Sequence, residues 1–69
     1  MKNDFKKAKQ FAMENFPVGT MVKIISMKGE EHYTGREGVV RHIDGIGQLH
    51  GDWGSLALIP GTDNFVKIG

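Results

Sequence analysis

The sequence predicts a mainly β fold, a small closed barrel of five short strands with one α-helix at its N-terminal end. Three observations carry this. Apolar residues recur with helical spacing up to Phe16 and with a period near two after Thr20. Glycine becomes frequent at the same point, marking turns between short β-branched runs. And 69 residues suffice for one domain, in which closure of the sheet removes exposed strand edges. The division expected is a helix over residues 1–16, packed on a barrel formed by 17–69.

The segment NDFKKAKQFAMENFP reads as an amphipathic helix. At 100° per residue Phe5, Ala8, Phe11, Ala12 and Phe16 share one stripe, so the three phenylalanines are expected to be buried against the barrel. Asn3 suits the N-cap and Asp4 the first turn. Pro17 disfavours helical geometry at Phe16, so the helix should end near Asn15. TMVKIISM alternates and is the first strand, and KGEEHYTGRE is a polar loop. GVVRHID is the second strand, and DGIG is a turn in which Gly45 and Gly47 are free to take positive φ. QLHGDW, LALI and FVKI are the third, fourth and fifth strands, with PGTDN as one helical or 3₁₀ turn before the last.

HGDWGSLALIPG raises the question of a glycine-rich ligand cradle. A phosphate loop needs a strand before its glycines and a helix after them, and no helix follows here. A hairpin fits better. Gly54-Ser55 suits a type II′ turn, which pairs Trp53 with Leu56 and Gly51 with Leu58. Leu49, Gly51, Trp53, Leu56 and Leu58 then line the core, with the tryptophan ring leaning over Gly51.

The order of these parts resembles the SH3-like barrel, and HYTGREGVVRHID looks like the glycine–valine segment of KOW-type barrels. FPVGTMVKIISM, GREGVVRHID, GIGQLH and SLALIPGTDNFVKI together resemble a family of small bacterial proteins, domain-of-unknown-function family 4314. Its members run from a short helix through P-x-G-T-x-V and D-x-G-x-I-x-V-x-W-D-N-G-S-S-L to G-x-D-x-F. The resemblance implies an SH3-like barrel and a bacterial, phage or mobile-element origin, and it implies no activity. Two departures stand out. The family's Asp-Asn-Gly turn after the tryptophan shrinks here to Gly54-Ser55, and Gly51 replaces an apolar residue.

Composition narrows the function. The chain has no cysteine, hence no disulfide or thiolate metal site, and suits a reducing cytoplasm. Its longest apolar run, SLALIP, is far short of the roughly 20 residues of a membrane span. The N-terminus has lysines without an apolar stretch after them, unlike a secretory signal. The net charge of +1 combines +2 in residues 1–16 with −1 in 17–69, weak for a nucleic-acid binder. His32, His42 and His50 show no recognised ligand spacing, so no metal or other cofactor is expected. Ser26 and Ser55 lack a nucleophile context, and Glu30-Glu31 lies in a solvated loop, so no enzyme activity is expected.

A small binding module remains. Tyr33, Arg36, Arg41 and His42 form the candidate ligand surface, where an aromatic ring beside arginines suits stacking on a base and contact with phosphate. The competing assignment packs Tyr33 on the barrel wall and pairs the arginines with Glu37 or Asp44. Two functions stay open. One is a protein-interaction or accessory module with a protein partner. The other is a nucleic-acid-binding barrel of the KOW type. A contiguous exposed apolar patch favours the first, and a cluster of Lys and Arg on one face the second.

Overall fold

The computed structural model describes residues 5–69. Asn3 and Asp4, expected as helix cap and first-turn acid, lie outside the described residues. Helix α1 spans Phe5–Asn15 and ends where Pro17 requires. Four strands follow: β1 (Met21–Ser26), β2 (Glu37–Ile43), β3 (Leu49–Gly51) and β4 (Asn64–Lys67). A 3₁₀ turn at Glu31–Tyr33 interrupts the loop between β1 and β2. The strands form one antiparallel sheet in the order β3-β2-β1-β4.

Among the described residues the fold is therefore mainly β with one N-terminal helix, but the sheet is not closed into a barrel and the strands number four, not five. The expected fourth strand, LALI, contributes one bridge, Leu49 with Leu58, through reciprocal N–H···O bonds of 2.8 and 2.9 Å. This also moves the hairpin register by two residues, since Leu58 faces Leu49 rather than Gly51. The cause lies at Trp53. Its indole N–H donates to the Leu56 carbonyl at 2.8 Å, so this stretch curls around the ring instead of pairing across a tight turn. Leu56 is consequently exposed and not part of the core. PGTDN does make a single turn, with Thr62 and Asp63 amides both donating to the Ile59 carbonyl.

Alternation in β1 buries Val22 and Ile24, which meet Gly38 and Phe65 on the neighbouring strands. In β2 both Val40 and Ile43 are buried although three residues apart. Regular alternation forbids that. A bulge between Val40 and His42 supplies the extra residue, and it leaves His42 directly opposite His50. Leu49, Trp53, Leu58, Met27 and Tyr33 complete the core.

The helix docks differently from the expected phenylalanine stripe. Ala12 is fully buried, whereas Phe5 and Phe11 remain 54% and 51% exposed. Gly47, at φ +85°, lies so close under the helix that a Cβ there would fall 2.7–2.9 Å from Ala8. Small residues on both surfaces thus set the contact line, and the larger rings lie to its sides. Phe16, half-buried, links the helix end to β4 through Phe65, with ring centroids 5.0 Å apart. Among the described residues no helix is long and apolar enough to cross a membrane.

Candidate functional site

The four candidate ligand residues do not form one surface. Tyr33 is 6% exposed and belongs to the core. Arg36 lies over its ring, 4.2 Å from guanidinium carbon to centroid, and donates to the Trp53 carbonyl at 2.8 Å. This pair clamps the loop before β2 onto the tryptophan segment. Gly54 sits against it, since a Cβ there would come within 2.5 Å of the Tyr33 hydroxyl. Arg41 is exposed and pairs with Asp52 at 3.3 Å, a contact worth little for stability on a solvated surface. The arginine partners are therefore the Trp53 carbonyl and Asp52, not Glu37 or Asp44.

His42 stands apart from the other three. It lines a groove of about 250 Å³ with Lys9, Met13, Pro17, Val18 and Ile43, between the C-terminal half of α1, the chain that leaves it and β2. Met13 and Val18 are 52% and 62% exposed there. The Gly19 amide donates to the Val40 carbonyl and the Thr20 amide to the Pro17 carbonyl, which fixes the loop carrying Val18. Lys9 and Met13 continue onto a shallow helix face with Lys6, Gln10 and Glu14, where Gln10 donates to Glu14. A second groove, of about 220 Å³, lies on the opposite side of the helix between Ala8, Phe11, Ile46, Ile59 and Pro60.

Sequence reasoning did not single out Lys9, Met13 or Val18, because Met13 and Val18 read as ordinary apolar positions near a helix end. A usable signal was present. Met13 lies some 80° around the helix from Phe5, off the apolar stripe, and next to Lys6 and Lys9.

The aspartates act within the structure. Asp44 Oδ1 accepts the Ile46 and Gln48 amides at 3.1 and 2.9 Å, and its Oδ2 lies 2.8 Å from His50 Nε2. Burial pushes its pKa up, but bonds from His50, Gln48 and Ile46 outweigh this and hold the carboxyl below its ordinary value. Asp52 accepts the Val39 amide at 2.8 Å. That bond, with help from Arg41, also lowers its pKa against the opposing effect of desolvation. Asp63 accepts the Ile59 amide at 2.8 Å. No group of three or more His, Asp or Glu able to hold a metal ion is found among the described residues.

No curated protein and no solved structure matches the chain. A family model does, over residues 6–68, which takes in the helix after its first residue, all four strands and both grooves, and the chain belongs to the family that this model describes, Domain of unknown function (DUF4314).

Proposed function

We propose that this protein is a non-enzymatic binding module for a protein partner, and that the partner segment presents an apolar side chain beside a carboxylate. The observation carrying this reading is the exposure of Met13 and Val18 in one groove with Lys9 and His42. An aliphatic or aromatic side chain would displace water from the two apolar residues, and an adjacent Asp or Glu would meet the lysine ammonium. The groups that would serve catalysis have other work. Asp44, Asp52 and Asp63 each hold backbone amides.

The nucleic-acid alternative draws less support. Tyr33 is buried, which takes away the stacking platform, and Arg36 and Arg41 already have protein partners. The sheet order β4-β1-β2-β3, followed by the Leu58 bridge and a single turn, supports an SH3-like ordering for a sheet that remains open. The cysteine-free chain suits the cytoplasm.

A displayed library of random peptides, selected on the intact protein, tests the proposal. Enriched peptides should carry an apolar residue next to Asp or Glu. They should lose binding to Val18→Asp while that variant keeps its melting temperature. Enrichment of basic peptides, or peptides that bind Val18→Asp equally well, would overturn the groove assignment.

A further inference from the structure

The bulge in β2 brings two imidazoles together on adjacent strands. His42 faces His50 across the β2–β3 ladder, with ring centroids 5.7 Å apart and planes inclined by 41°. For two imidazoles sharing one ion at N–metal distances of about 2.0–2.1 Å, simple geometry puts the centroids roughly 4.5–5.5 Å apart, so a small side-chain rotation suffices. Asp44 then matters. Its Oδ1 is fixed by two backbone amides, and Oδ2 lies 2.8 Å from His50 Nε2. In the tautomer whose Nε2–H donates to that carboxylate, the other ring nitrogen of His50, Nδ1, carries the lone pair available to a metal. Orientation of a histidine ligand by a carboxylate is the usual outer partner of an imidazole-bound metal.

We propose that His42 and His50 form a divalent-metal site, with Asp44 orienting His50 and water completing the coordination. The site takes late first-row cations. Imidazole favours them over magnesium or calcium, and affinity should be higher for Cu²⁺ than for Zn²⁺. The pair is open to solvent, His42 being exposed and the His50 side chain 42% exposed, so an ion has a direct path to it. With two protein ligands, the site falls below the three or four that a structural zinc centre needs, and exchangeable binding follows. This inference does not depend on the partner assigned to the groove.

Calorimetric titration of the full chain with ZnCl₂ and with CuCl₂, in a non-coordinating buffer, tests it. One ion per chain should bind, Cu²⁺ the tighter. In carbon-detected spectra, Cu²⁺ should broaden the His42 and His50 ring signals before those of His32. His42→Gln should weaken binding at least tenfold, and Asp44→Asn by about tenfold or more, the range seen when such an outer partner is removed. His32→Gln should bind as the parent does. His42 is exposed, so its variant remains readable if His50→Gln proves unstable. Absence of binding up to about 1 mM metal, which would mean an affinity weaker than about 4 kcal/mol, overturns the proposal. Binding that survives His42→Gln overturns it equally.

Discussion

Gly51 shows how much one missing side chain can matter. A Cβ built there would overlap the Trp53 ring and the Val39 carbonyl, the ring Cη2 atom being 2.7 Å away. The carbonyl belongs to the sheet and the indole is held by its bond to Leu56, so neither yields cheaply. Gly51→Ala should destabilise the protein by about 1–3 kcal/mol, the range for overpacking a core, and Gly51→Val by more. Urea unfolding of both variants measures this, and a tolerated valine would show that the ring can leave the glycine. Asp44 is the second residue of this kind. Its folded-state pKa lies below the ordinary value, so its contribution is present above pH ~4 and is lost as pH falls through the folded value. Asp44→Asn should lower the melting temperature at pH 7 and flatten its decline below pH 4. An unchanged acid limb in the variant would count against the hydrogen bonds described.

The elements show what the sequence could and could not disclose. The end of α1, the first two strands, the turn at Gly47 and the glycine–tryptophan contact were all legible, because each depends on local rules of period, proline and glycine. The exposure of Phe5 and Phe11, expected to be buried, was not. A helical wheel gives the direction of a stripe but not how closely the helix approaches, and Gly47 brings it near enough for Ala8 and Ala12 to make the contact. The bulge in β2 was likewise invisible, since it depends on fitting both Val40 and Ile43 inward. So was the loss of the LALI strand, which follows from a side-chain bond by Trp53 that no turn rule anticipates. Of the candidate site, His42 alone lies in the exposed groove; Tyr33 is buried, and Arg36, itself exposed, lies over its ring and is bonded to the Trp53 carbonyl. The helix contact can be checked directly. Ala12→Leu should cost about 1–3 kcal/mol by overpacking. Phe11→Ala should cost under about 1 kcal/mol, because half of that ring is already in water. The reverse order would restore the phenylalanine stripe as the docking face.

At the scale of the molecule, an open sheet and a closely seated small helix leave apolar residues uncovered on both sides of that helix. A chain of this size has little core to spare, and a buried valine side chain is worth roughly 1.5–3 kcal/mol. Val18 and Met13 in solvent therefore forgo stability that the fold could have used, while the Lys9 ammonium gives their surroundings a preference for negative charge. The arginines, by contrast, tie one part of the fold to another. The central claim is that the groove, not a basic surface, is the recognition site. The most direct measurement is an amide chemical-shift titration, at about 50 and 200 mM salt, the range over which phosphate contacts weaken steeply. It compares a selected apolar–acidic peptide with single- and double-stranded oligonucleotides. The account predicts peptide-induced shifts at Lys9, Met13, Val18 and His42 that persist at the higher salt, with oligonucleotide shifts confined to the helix lysines and lost there. Micromolar or tighter oligonucleotide binding that survives the higher salt, with shifts centred on Tyr33, Arg36 and Arg41, would contradict it.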